Sequence, residues 1–183
     1  MIIVGISGSL RRGSYNRTLL RAAAAELPVC VEFREWNGLA KLPAYDEDCD
    51  RLSPAASVAV LRRELRRADA LLIATPEYNH SVPGALKNAL DWASRPFPEN
   101  VLRSLPVAVI GASTGLFGAV WAQAELRKAL SAAGADVLDA AVAVPSAGTA
   151  FTAEGRLRDP RLASALRSLV QELVRRSSGR VAA

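Results

Sequence analysis

Residues 70–75, Ala-Leu-Leu-Ile-Ala-Thr, form a continuous apolar run with no alternation and no charge. A strand with one wet face alternates, and an amphipathic helix needs a longer span. A run this short and apolar throughout belongs to a strand covered on both faces, the signature of a central parallel sheet. Four more runs have strand length: Ile2 to Ile6, Val29 to Phe33, Leu105 to Gly111 and Val137 to Val144. Helical spacing fills the gaps. It runs over Arg17 to Leu27, from Ser53-Pro54 as N-cap and first helical residue through Val58, Leu61, Leu65 and Ala68, and from near Pro83 through Leu86, Ala89, Leu90 and Ala93. It resumes after the loop Ala112 to Gly118 as far as about Ala133, and again from Asp159-Pro160 with Leu162, Leu166, Leu169, Leu173 and Val174 on one face. Parallel neighbours require crossover connections, and these are right-handed. The pattern therefore predicts an α/β fold, a doubly wound five-stranded parallel sheet in a three-layer α/β/α sandwich. Residues 37–48 read as a long loop, residues 1–176 as one domain and 177–183 as a frayed tail.

In such sheets ligands sit at the carboxyl ends of the strands, near the switch point of strand order. The loop after the first strand, Gly5-Ile6-Ser7-Gly8-Ser9-Leu10-Arg11-Arg12-Gly13-Ser14-Tyr15-Asn16, is rich in small and hydroxylated residues and opens a helix. Main-chain N–H groups there converge with the positive helix end, which favours an anion. Ser9, Ser14 and Asn16 add donors, and Arg11 adds a fixed charge able to fork onto two phosphate oxygens. Ser14 reads equally as a plain N-cap. No Gly-Lys-Ser/Thr and no G-x-G-x-x-G is present, which argues against a Walker-type nucleotide site and a Rossmann dinucleotide site.

Composition removes other classes. Lys and Arg number 23 against 18 Asp and Glu, but the arginines stand beside acids along helices, as in Arg62-Arg63-Glu64-Leu65-Arg66-Arg67. That is a solvated helix face rather than a nucleic-acid surface. One histidine and two cysteines, Cys30 and Cys49, in no ligand spacing give no metal site and fit free thiols in a reducing cytoplasm. No signal peptide or membrane-length apolar run is present, so neither nucleic acid nor membrane is expected as a partner.

Gly8-Ser9-Leu10-Arg11 with Ser14 and Asn16, then Thr75-Pro76-Glu77-Tyr78-Asn79-His80-Ser81-Val82-Pro83-Gly84 leading into Leu86-Lys87-Asn88-Ala89 and Asp91-Trp92, then Ser113-Thr114-Gly115 with Gly118 and Gln123, occur in order along nearly the whole chain. Together they resemble the NAD(P)H-dependent FMN reductase family, which includes quinone and chromate reductases. The resemblance implies a flavodoxin-like sheet of order 2-1-3-4-5, with the first and third loops flanking the switch point. It implies that Ser9, Arg11, Ser14 and Asn16 hold the FMN phosphate. Pro76, Glu77, Tyr78 and Asn79 would line the isoalloxazine, with Ser113, Thr114 and Gly115 closing its other side. Ala119 departs from the second glycine that many members carry.

Hydride transfer from NAD(P)H to flavin needs stacking and orientation, not a nucleophile or metal, so no acid or base is assigned. Tyr78 is either a stacking residue or a structural aromatic, and His80 reads as a bystander. Asp91 with Lys87 reads as an exposed helix pair. The acceptor expected is a small molecule: a quinone, free flavin, azo compound or chromate. A non-catalytic FMN-binding or redox-sensing module and a flavodoxin-like electron carrier are the alternatives. The resemblance, with Trp92 and Trp121 on predicted helices, also predicts a homo-oligomer, dimer or tetramer, with the flavin pocket near the subunit boundary.

Overall fold

A computed structural model describes residues 1–52 and 54–181 of the 183-residue chain. Five strands, β1 (Ile2–Ser7), β2 (Glu32–Trp36), β3 (Ala70–Thr75), β4 (Pro106–Ala112) and β5 (Asp136–Val144), form one sheet of order β2-β1-β3-β4-β5. Every pairing is parallel. The six helices of the described residues are α1 (Tyr15–Ala24), α2 (Glu47–Leu52), α3 (Ala56–Arg67), α4 (Gly84–Ala93), α5 (Val120–Ala132) and α6 (Pro160–Val181).

The apolar runs do what their pattern requires. Every residue of β3 and β4 is buried, and two cores lie back to back across the sheet. One packs α3, α4 and α5 through Val58, Leu61, Leu86 and Leu126; the other packs α1 and α6 through Leu19, Leu20, Leu169 and Leu173. Both faces being dry explains why neither central strand alternates.

Several features depart from the sequence reading. The second strand begins three residues late. Val29 and Cys30 are exposed in a turn closed by Val31 N–H donating to the Pro28 carbonyl at 2.9 Å. An edge strand is only half covered, so its apolar signal is weak, and pairing with β1 fixes its register instead. Phe33 then lies across Gly5, where an added Cβ would stand 2.2 Å from the Phe33 ring, so Gly5 is a packing residue and not part of the anion loop. The long loop of 37–48 also contains a 3-10 turn, Leu39–Lys41, and the start of α2.

Trp92 is fully buried within its own chain, its indole N–H donating to the Pro43 carbonyl at 2.9 Å and its ring meeting Tyr45 edge-on at 5.0 Å. It anchors this returning segment, with Arg62 forking onto Asp50 at 2.8 Å and onto the Trp92 carbonyl. A role for Trp92 between subunits is therefore replaced by an intrachain one. Finally, α6 is helical to Val181 and Ser177 is buried, its hydroxyl donating to the Leu173 carbonyl, so the expected fraying does not begin at Ser177. The predicted N-cap Ser53 lies outside the described residues, and Pro54 is not the first helical residue, since α3 starts at Ala56 with Ala55 as its N-cap. Lys87 and Asp91 form the expected i,i+4 pair at 2.6 Å.

Candidate active site

Three loops meet at the carboxyl ends of β1, β3 and β4. Gly8 makes the first contact possible: its N–H donates to the Ala74 carbonyl at 2.8 Å, and an added Cβ would lie 2.9 Å from Leu86 and 3.1 Å from Pro76. Only a residue without a side chain lets the β1 loop approach the β3 loop this closely. The crevice between the loops, about 230 Å³, is lined by Ser9, Arg11, Ser14, Tyr15, Asn16, Pro76, Glu77, Tyr78, Ala112, Ser113 and Thr114. Nine of the eleven residues expected at the site are in that lining, while Asn79 and Gly115 are outside it.

One end of the crevice is built for an anion. Ser9 and Ser14 are buried, and each hydroxyl oxygen accepts from a backbone N–H, Arg11 at 3.4 Å and Arg17 at 3.3 Å. Those bonds leave each O–H hydrogen free to donate. Ser14 is thus the N-cap of α1 and a possible ligand donor at once, and the first N–H groups of α1 have no intrahelical partner. The Arg11 guanidinium lies over the Tyr15 ring, 5.2 Å from its centroid. A face contact of this kind leaves the N–H edge open. Buried hydroxyls, a helix N-terminus and a mobile-stemmed cation form a donor set that fits a phosphate dianion.

Asn16 sits differently from the expectation. Its Nδ2 donates to the Ala112 carbonyl and its Oδ1 accepts the Ala112 N–H, both at 2.9 Å. The β3–β4 ladder ends one residue earlier, at Thr75 and Gly111. Asn16 therefore continues that ladder in place of a backbone, joining the first loop to the fourth strand. A single amide hydrogen remains for any ligand.

Glu77 is turned away from the crevice. Its Oε2 accepts from the N–H groups of Trp121 and Ala122, at 3.0 and 3.1 Å, capping α5. The next residues form a tight turn in which Tyr78 and Ser81 exchange both backbone hydrogen bonds, at 3.2 and 3.0 Å, across Asn79 and His80 with φ of 51° and 59°. Two consecutive left-handed residues make this a type I′ turn. His80 is exposed, with its Nδ1 3.6 Å from Glu77 Oε1 and its ring meeting Trp121 edge-on at 4.8 Å. At the fourth-strand loop, Gly118 has φ 59° and an added Cβ there would lie 2.6 Å from the backbone of Ala143 and Val144. Ala119, in place of the second glycine, is also left-handed at φ 65°.

A larger cavity, about 810 Å³, lies behind α1 against α6 and residues 147–157. Its charges are largely paired with one another, Arg167 with Glu26 at 2.8 Å among them. The smaller crevice is the candidate site, because hydroxyl donors, the start of α1 and the ends of β1, β3 and β4 converge there.

The family model described as NADPH-dependent FMN reductase matches residues 1–149. An NAD(P)H-dependent FMN reductase from Pseudomonas aeruginosa is 43% identical over 183 residues, covering 97% of each chain. The chain belongs to the NADPH-dependent FMN reductase family. A quinone reductase from Escherichia coli K12 is 40% identical over 129 residues, 70% of this chain and 68% of its own. Among solved structures, the flavoenzyme NAD(P)H:(acceptor) oxidoreductase FerB from Paracoccus denitrificans superimposes with a TM-score of 0.86 at 34% identity over 97% of both chains. Family membership assigns FMN as the cofactor, with NAD(P)H as reductant.

Two things escaped the sequence. Tyr15, an aromatic at the first helical position, supports Arg11 and walls the crevice. Four exposed apolar side chains come from two chain segments: Tyr78, which lines the crevice, and Leu116, Phe117 and Trp121 at the loop before α5 and its first turn, with Phe117 and Trp121 5.0 Å apart. Only the isolated Trp121 hinted at them.

Proposed function

We propose that the chain oxidises NAD(P)H and passes the reducing equivalents through bound FMN to a small acceptor, with quinones first among the acceptors and free flavin, azo compounds and chromate behind them. The observation that carries this reading is the pairing, in one crevice, of free anion donors on the β1 loop with residues 76–78 and 113–114 from the loops after β3 and β4. The Ser9 and Ser14 hydroxyls, the first N–H groups of α1 and Arg11 hold the phosphate. Pro76 to Tyr78 and residues 113–114 wall the ring, with the main chain of Glu77 rather than its carboxylate facing the cofactor. Bound FMN supplies a ring that takes up a hydride from nicotinamide. The chain's own contribution is to fix that ring, leave one face open for stacking and exclude water. The quinone preference draws on the relative named quinone reductase.

The active unit is a homo-oligomer, at least a dimer. A crevice of about 230 Å³ is smaller than the ~300–1,000 Å³ usual for pockets of small ligands and cofactors. A second copy would supply the wall it lacks by seating on the exposed Tyr78, Leu116, Phe117 and Trp121, side chains of the kind found in interface cores. No helix among the described residues is long and apolar enough to cross a membrane, and two exposed free thiols suit a cytoplasmic setting.

The test is the absorbance spectrum of the purified protein followed by NAD(P)H oxidation with benzoquinone, free FMN, an azo dye and chromate. Flavin absorbance with turnover of at least one acceptor is expected. Bound flavin with no nucleotide oxidation would favour a sensing module, and a long-lived one-electron-reduced state an electron carrier.

A further inference from the structure

We propose that Glu77 is a positioning residue that sets the ring wall of the crevice by clamping the Pro76–Ser81 loop to the N-terminus of α5. This rests on the assignment of the crevice to FMN. The carboxylate is only 10% exposed and accepts two N–H groups of the first turn of α5 through one oxygen. A negative group at that position also meets the positive end of the helix. A second tie lies four residues on, where the Ser81 hydroxyl donates to Glu125 Oε2 at 2.6 Å. Between the two ties the chain turns through Asn79 and His80, both left-handed. Neither residue is glycine, so the turn persists because its ends are held. Pro76 and Tyr78, the residues on either side of Glu77, line the crevice. The α5 end that Glu77 grips follows directly from the loop carrying Ser113 and Thr114, which line the opposite wall. The clamp therefore fixes the distance between the two walls of the flavin slot while its charge stays directed at a helix end, away from the ring.

The experiment compares FMN and riboflavin binding to the full chain freed of flavin, followed by quenching of flavin fluorescence. Glu77→Ala should weaken both ligands by the same factor, about tenfold or more, which is ~1.4 kcal/mol per decade. Glu77→Gln keeps an oxygen able to accept both N–H groups and should stay within about threefold of wild type. Arg11→Ala, by contrast, should weaken FMN alone. Should Glu77→Ala not fold, Glu77→Asp, charged but one methylene too short to reach both donors, replaces it with the same expectation. The proposal is overturned if the shortened variant binds both flavins as wild type does, if Glu77→Gln is as poor as Glu77→Ala, or if FMN is weakened and riboflavin is not. A wild-type chain that binds neither flavin would defeat the cofactor assignment itself, a different result from any of these.

Discussion

Replacing Asn16 tests whether the crevice is held together by one side chain that imitates a strand. Asn16 is 3% exposed, and its amide pairs with the N–H and the C=O of Ala112, both at 2.9 Å. Asn16→Ala leaves two buried backbone groups without partners. An orphaned buried donor or acceptor costs about 1–3 kcal/mol, so a loss of roughly 2–4 kcal/mol is expected once partial relaxation is allowed. For a chain of this length that lowers the melting temperature by about 5–15 °C. Asn16→Asp sharpens the test, because the introduced carboxylate can accept from the Ala112 N–H but faces the Ala112 carbonyl with a second negative oxygen. Burial and that carbonyl raise its folded pKa above its unfolded value near ~3.9. The penalty is then complete above the folded pKa and fades as pH falls through it, since the protonated carboxyl can donate to the Ala112 carbonyl. Urea unfolding followed by far-UV circular dichroism, at neutral pH and near pH ~5, measures both effects. An Asn16→Ala loss below about 0.5 kcal/mol would refute the ladder argument, because it would mean that water or a neighbour satisfies Ala112 equally well.

Arg11→Ala should weaken FMN binding by roughly 1.5–3 kcal/mol without unfolding the chain, with Arg12→Ala as control; a larger loss at Arg12 would misplace the phosphate. Trp121→Glu puts a charge beside Phe117 and should shift the proposed oligomer towards a 19.4 kDa species in light scattering. Unchanged mass would remove Trp121 from the interface. Cys49 and Cys30 are both exposed, but the Asp46 carboxylate, by its charge and by accepting the S–H at 3.6 Å, pushes the Cys49 thiol up. Less thiolate at a given pH means that Cys49 should be alkylated more slowly than Cys30 in the native chain and at a similar rate in urea, as read by peptide mass spectrometry.

The sequence by itself determined the layers, the parallel sheet and the place of the crevice. Central strands buried on both faces write themselves as unbroken apolar runs, and β3 at residues 70–75 has the predicted bounds. Small residues after β1 are legible as an anion loop because backbone N–H groups and a helix end are local features, present wherever the loop folds. The edge strand begins later than its apolar run because half-covered residues carry a weak pattern, and pairing with Ile2 to Ile6 sets Glu32 to Trp36 in register. What tertiary structure alone decided is where the side chains of the motif residues go. Asn16 and Glu77 look like ligand donors in sequence, yet one completes a ladder at Ala112 and the other caps a helix that begins more than forty residues later. Trp92 looks like an interface residue, yet a segment returning past Pro43 and Tyr45 covers it. Each of these outcomes depends on a partner distant along the chain, and a polar or aromatic side chain carries no local mark of which distant partner will reach it first.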